Sequence, residues 1–269
     1  MAALELHHEQ FGEGPDLVIL HGLFGSGNNW RSFAKKLSED FRISLVDLRN
    51  HGKSPHSDEM DYVVMLEDVL VFLEQKTAGS VSILGHSMGG KTAMQLALRH
   101  PKKIKNLLVG DIAPVVYKHG DGHRSYLQAL NHIPLNQGLT RPEIDALLSR
   151  SIPESTIRTF LLTNLEIRSN QASWKINLKA LEENLIDLMD FPIDPKMLPF
   201  EGNCLFIAGS NSNYIQTEHQ PILQSWFPKH RLVRLKNCGH WLHVDQPEAL
   251  MQTLKYFLSE IRAKAFGHE

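Results

Sequence analysis

Five consecutive residues, Gly85-His86-Ser87-Met88-Gly89, place a serine between two glycines. A serine hydroxyl is a weak nucleophile until a neighbouring base takes its proton, and it must stand clear of other side chains to reach a substrate. The pattern G-x-S-x-G meets both needs when a strand leads into it and a helix leads out. The turn is sharp, so a side chain at either glycine would collide with the adjoining strand or helix. The start of the helix also aims the Met88 amide at an oxyanion formed beside Ser87. A second loop, His21-Gly22-Leu23-Phe24-Gly25, offers another backbone N–H, from Leu23, or from Phe24 if the turn is shifted by one residue. In a third, Cys238-Gly239-His240-Trp241, His240 has the chemistry of a general base. His21 reads as a structural hydrogen-bonding group, and His243 as a residue that orients its loop or faces solvent. The chemistry implied is acyl transfer through a serine nucleophile.

These loops act together only if the fold brings them to one edge, and the chain has the alternation that does so. Short apolar runs at 17–20, 43–46, 81–84, 107–109, 204–208 and 232–235 read as strands. Helical spacing separates them: Trp30, Phe33, Ala34 and Leu37 behind an Asn28 or Asn29 cap, then Met65, Leu66, Val69 and Leu73, then 88–100 stopped by Pro101. This is the pattern of a parallel sheet covered on both faces, entered by an antiparallel strand within 4–11. The expected class is α/β, a mostly parallel eight-stranded sheet with helices on both faces. Each candidate loop then follows a strand at its carboxyl end. Between about residues 114 and 195 the alternation lapses. Helical segments at 143–148, 155–165 and 173–188 read there as an inserted cap. The core is thus expected to comprise 1–113 and 196–269, with 114–195 as the lid. The final helix is expected over 247–261.

The 269 residues are 42% apolar with a net charge of -2 and no long charge runs. No basic face exists for nucleic acid and no polybasic patch for a membrane. The apolar run at 17–20 is far too short for a span or a signal sequence. Two cysteines, Cys204 and Cys238, read as reduced thiols, so a cytoplasmic setting is expected. Nothing in the sequence fixes an oligomeric state. Fifteen histidines invite a metal reading. Yet the pairs His240/His243 and His119/His123 stand in no HExxH pattern, and no metal or cofactor is expected. The loop Asp47-Leu48-Arg49-Asn50-His51-Gly52-Lys53-Ser54 reads as a structural brace for the nucleophile turn.

HGLFGSGNNW, DLRNHGKS, LGHSMGG, VGDIAPVVY, FLLTNL with W-x-INL, and CGHWLHVDQP occur in this order over nearly the whole chain. Together they resemble the YbfF-type esterases of the α/β-hydrolase superfamily. GHSMGG marks only the superfamily; DIAPVVY with the FLLTNL segment is narrower, and the stretch from Tyr117 to Ser151 is the least covered. The resemblance implies cofactor-free hydrolysis of small-molecule short-chain acyl esters or acyl thioesters under a helical cap. It also implies Ser87 and His240 as nucleophile and base. Phe160, Trp174, Phe24 and Trp241 are the expected substrate-binding residues. The same fold and triad could serve perhydrolysis or carbon–carbon bond hydrolysis, or a non-catalytic ligand receptor could be built on it. Intact Ser87 and His240 speak against the receptor, and a serine where relatives hold aspartate speaks against dehalogenase or epoxide hydrolase chemistry.

The acid is the departure from the common pattern. In most relatives of the fold it follows the strand that here reads 204–208, but Gly209-Ser210-Asn211-Ser212-Asn213-Tyr214 has no carboxylate. Without a carboxylate the base loses its fixed tautomer and the partner of its imidazolium. Asp111, after the strand at 107–109, is the expected acid. The competing readings are a turn cap at Ile112-Ala113-Pro114 for Asp111, and Glu218 as the acid instead. Asp245 follows His240 too closely to serve and belongs near the last helix.

Overall fold

The apolar strands are buried on both sides, and their alternate residues face two separate cores. Val18 and Leu20, Ile83, Leu107 and Val109, and Phe206 and Ala208 join one cluster. Leu17 and Ile19, Leu84, Leu108, and Leu205 and Ile207 join the other. This is why these runs read as continuously apolar rather than as alternating. The computed structural model describes residues 3–118, 121–169 and 171–266.

In chain order the core opens with β1 (His8–Phe11), β2 (Asp16–Leu20), α1 (Arg31–Leu37), β3 (Arg42–Val46), α2 (Tyr62–Lys76), β4 (Val81–His86), α3 (Met88–Arg99) and β5 (Ile104–Gly110). The insert follows with α4 (Asp121–Asn131), α5 (Arg141–Leu148), α6 (Ser155–Leu161), β6 (Leu165–Arg168), β7 (Gln171–Trp174), α7 (Leu178–Glu183) and α8 (Leu185–Met189). The core resumes with β8 (Asn203–Gly209), α9 (Gln220–Trp226), β9 (His230–Leu235), α10 (Leu242–Asp245) and α11 (Pro247–Phe266). The sheet order is β1-β3-β2-β4-β5-β8-β9. All neighbours are parallel except β1 on β3, which is antiparallel.

The sheet therefore has seven strands among the described residues, not the expected eight. The segment before His8 adds one backbone bond, from the Asp47 amide to the His7 carbonyl at 2.9 Å, but no further strand among the described residues, and it is otherwise tied down to side chains. Leu4 donates its amide to Asp68 at 2.6 Å, and His7 donates its amide to Ser54 Oγ at 2.8 Å. Two other expectations change. Asn29 caps no α-helix. It lies in a 3-10 turn ahead of α1, and its Oδ1 accepts the Ser26 amide at 2.7 Å. The helices expected over 155–165 and 173–188 are interrupted by the antiparallel β6–β7 hairpin, with Leu165 opposite Trp174. Leu165, Ile167, Ala172 and Trp174 suit a short two-stranded turn as well as a helix, and spacing alone cannot separate the two.

No helix among the described residues is long and apolar enough to cross a membrane. Both cysteines are buried and free.

One ion pair fastens the loop after β3 to α2. The Arg49 guanidinium donates to both Asp68 oxygens, at 2.6 and 2.8 Å, with the pair almost wholly excluded from solvent. Removing one partner leaves a buried charge uncompensated. Asp68→Ala is expected to lower the unfolding free energy by about 3–5 kcal/mol, measured as a reduced urea midpoint at unchanged slope. A midpoint within error of the parent would show that the pair adds nothing to the fold.

Candidate active site

Ser87 stands at the carboxyl end of β4 with φ 52° and ψ -117°, a conformation non-glycine residues rarely adopt. Its amide is held by the Gly110 carbonyl of β5 at 2.9 Å. The flanking glycines are needed because elements meet backbone to backbone. A Cβ on Gly85 would lie 2.2 Å from the Gly89 carbonyl, and one on Gly89 would lie 2.5 Å from the carbonyls of Leu20 and His21. Close contact of α3 with β2 thus brings the Ser87 turn against the His21–Gly25 loop.

In that loop the two candidate amides differ in what they bond. The Phe24 amide donates to His51 Nε2 at 3.3 Å, and His51 Nδ1 in turn donates to the Arg49 carbonyl at 2.9 Å. The Leu23 amide has no acceptor among the described residues, and the Met88 amide, at the first position of α3, has no partner within its helix. His21 is structural: Nε2 accepts the Leu48 amide at 3.0 Å while Nδ1 donates to the Gly22 carbonyl at 2.8 Å. The loop after β3 therefore braces the His21–Gly25 loop, rather than the serine turn directly. It also reaches the insert, where the Asn177 amide donates to the Asn50 carbonyl at 3.0 Å.

His240 and Asp111 meet across 129 residues, with Nδ1 2.7 Å from Oδ2. Asp111 is fully buried and also takes the left-handed region, with φ 48°. Its Oδ1 accepts the Gly209 amide at 3.1 Å, and its Oδ2 also accepts the Ser212 hydroxyl. The loop after β8 thus supplies hydrogen-bond donors to the acid that follows β5. Glu218 is exposed and lies 3.9 Å from His219. Asp245 accepts the Gly239 amide at 2.7 Å, so it braces the histidine loop.

Several groups that sequence reasoning left unassigned complete the setting of His240. The Tyr214 ring stacks on its imidazole at 4.1 Å between centres, and His86 Nε2 donates to its carbonyl at 2.8 Å. His243 faces the interior rather than solvent, stacked on Trp30 at 4.0 Å. Burial holds His86 well below its ordinary pKa and pushes His51 and His243 down to about 3 and His123 to about 4. These rings stay neutral because no carboxylate repays the loss of hydration; among them and His240, only His240 rests on one. A histidine beside the serine in G-x-S-x-G and a Ser-x-Tyr pair after β8 were available signals, but neither spacing names a partner.

Two adjoining cavities open on Ser87. One, of about 160 Å³, is lined by Leu23, Tyr62, Met88, Lys91, Tyr117 and Tyr214 among others. The other, of about 60 Å³, is lined by Phe24, Phe160, His240 and Trp241. The Phe160 and Trp241 rings meet at 5.3 Å, insert against core. Trp174 lines neither cavity. It sits in β7, paired with Leu165 and packed on the larger core cluster, so its bulk supports the insert instead of walling the pocket. Asn164 of the FLLTNL motif donates to the Phe24 carbonyl at 2.7 Å. His119 lies outside the described residues.

Similarity to known proteins follows the same outline. The chain is 38% identical to the sn-1-specific diacylglycerol lipase ABHD11 of Mus musculus over 91% of its own length and 81% of that protein. It is 31% identical to the esterase YbfF of Escherichia coli, over 91% and 93%. A solved marine microorganism esterase superposes with a TM-score of 0.92 at 41% identity, covering 95% of this chain and all of that one. A family model described as alpha/beta hydrolase fold matches residues 15–247, and the chain belongs to that family.

Proposed function

We propose that this chain is a serine carboxylesterase acting on short-chain acyl esters, with acyl thioesters open to the same chemistry. The observation that carries the reading is the Asp111–His240 hydrogen bond at 2.7 Å, formed beside a serine on a strained turn that shares a cavity with His240. The lipase and esterase relatives support ester hydrolysis.

In this reading His240 Nε2 takes the Ser87 proton as Oγ attacks the acyl carbonyl carbon. The carbonyl π electrons move onto oxygen, and the oxyanion is received by the Leu23 and Met88 amides, already placed and without other acceptors. The tetrahedral adduct collapses, the ester C–O bond breaks, and the leaving alkoxide takes the proton from His240. Water then attacks the acyl-enzyme with His240 again as base, releasing acid and Ser87. Asp111 holds the Nδ1–H tautomer and stabilises each imidazolium. Residues 114–195 act as a lid whose Phe160 meets Trp241 over the serine, and Phe24 shapes the same wall.

Ser87→Ala and His240→Gln are each expected to lower kcat on p-nitrophenyl butyrate by about 10⁶-fold. Asp111→Asn is expected to lose about 10³- to 10⁴-fold with the fold kept, while Glu218→Gln stays near the parent. A crippled Glu218→Gln beside an active Asp111→Asn would move the acid elsewhere. EDTA is expected to leave the rate unchanged, and chelation that abolished it would overturn the metal-free mechanism.

The acyl cavity of about 160 Å³, walled by Tyr62, Lys91 and Tyr117, favours short chains. Turnover of p-nitrophenyl butyrate is expected to exceed that of the dodecanoate. The reverse order in a chain-length series would show that the cavity does not limit the acyl group.

A further inference from the structure

The larger cavity contains an ammonium group that ester hydrolysis does not call for. Lys91 follows Ser87 by four residues on α3, about 6 Å of helix rise, and donates its amide to the Ser87 carbonyl at 3.0 Å. The residue is 1% exposed, yet it lines the same cavity as Ser87. Its Nζ donates to the Met189 carbonyl at 2.9 Å and the Asp190 carbonyl at 2.7 Å. The rings of Tyr117 and Tyr62 lie 4.8 and 5.6 Å from it.

An ammonium carries three N–H donors, and these two carbonyls take two of them. Among the described residues no acceptor takes the third, and no carboxylate oxygen lies within ion-pair distance. Neither neighbouring tyrosine hydroxyl accepts from Lys91. Tyr62 donates to the Leu188 carbonyl at 2.7 Å, and Tyr117 donates to the Tyr214 carbonyl at 2.6 Å. Burial pulls the Lys91 pKa down to about 7, against the opposing influence of Asp190. Of the other titratable groups on this cavity, burial keeps His123 neutral down to about 4 and holds Tyr62, Tyr117 and Tyr214 protonated. A buried cation with no carboxylate within ion-pair distance is costly, and an anion delivered by a ligand would remove much of that cost.

We propose that Lys91 selects the far end of the acyl group: its third N–H receives a carboxylate, so the favoured substrates are half-esters of short dicarboxylic acids. The proposal rests on Ser87 being the nucleophile, because it places the scissile carbonyl at one end of the cavity and the carboxylate at the other. An apolar acyl end of equal length leaves the ammonium unpaired, and a longer one overruns it. A charge-assisted hydrogen bond made in a desolvated pocket contributes far more to discrimination than one at the surface.

The test compares p-nitrophenyl hemiglutarate with p-nitrophenyl valerate, which have equal acyl length, between pH 6 and 9. The parent is expected to favour the hemiglutarate in kcat/KM by about tenfold or more at pH 6, the size of one charged hydrogen bond. The ammonium is protonated below its pKa, so the preference is full at low pH and is lost as pH rises through about 7. Any effect of pH on the steps common to both esters cancels in the ratio. Lys91→Met is expected to reverse the preference and flatten the ratio against pH. Free glutarate should also inhibit valerate hydrolysis by the parent more strongly than free valerate does, a measurement that needs no variant. Valerate turned over as fast as hemiglutarate, with a ratio flat in pH, would overturn the role of Lys91. Failure to cleave either ester would instead overturn the reading of Ser87.

Discussion

The buried carboxylate of Asp111 is the group on which the loops at the carboxyl edge of the sheet converge. It accepts from His240 after β9, from the Gly209 amide at the end of β8 and from the Ser212 hydroxyl beyond it, while its own amide is held by the Ile207 carbonyl at 2.8 Å. A fully desolvated anion is tolerated only when its lone pairs are filled, and here three donors from two stretches of the chain fill them. The same requirement sets the position of the histidine. An imidazole that rotated away from Asp111 would leave the carboxylate underbonded, so its orientation is stabilised before any substrate arrives.

Around this centre the strain is local and the framework stiff. Phe24, Asn50, Ser87, Asp111 and Asn237 all have positive φ, and each follows a strand of the sheet. Such conformations cost on the order of 1–3 kcal/mol each and persist only where the surroundings over-determine them. Here the surroundings are parallel strands, most of them buried, with apolar cores on both faces, which do not yield. The sheet absorbs strain at its carboxyl edge, where amides and side chains must point outward instead of pairing along the ladder.

The segment between β5 and β8 shares one buried apolar cluster with the core and is also tied to it by polar contacts to backbone carbonyls. Asn164 reaches the Phe24 carbonyl, Tyr62 the Leu188 carbonyl, Lys91 those of Met189 and Asp190, and Gln95 that of Pro192 at 2.8 Å. Contacts to carbonyls are directional, and they hold the loop-rich ends of the insert in one place over the cavity. Side chains from α2 and α3 line the larger cavity together with residues of this segment.

Local signals were enough for much of this. The apolar runs became strands because burial on both faces demands continuous hydrophobicity. The serine turn was legible because Gly85 and Gly89 sit where no Cβ fits. The loops of Leu23, Met88 and His240 were legible because each follows a strand. The expectation that Asp111 pairs with His240 came from the absence of a carboxylate after β8, an argument from chain order, and the two side chains do meet at 2.7 Å. Tertiary structure alone decided the rest. Sheet order puts β8 between β5 and β9, so Ser212 could become a donor to an acid about a hundred residues earlier. The β6–β7 hairpin, the retreat of Trp174 from the pocket, the inward turn of His243 and the solitary ammonium of Lys91 depend on which side chains meet through space. Periodicity records which face of an element is buried, but not what the opposing element brings to it.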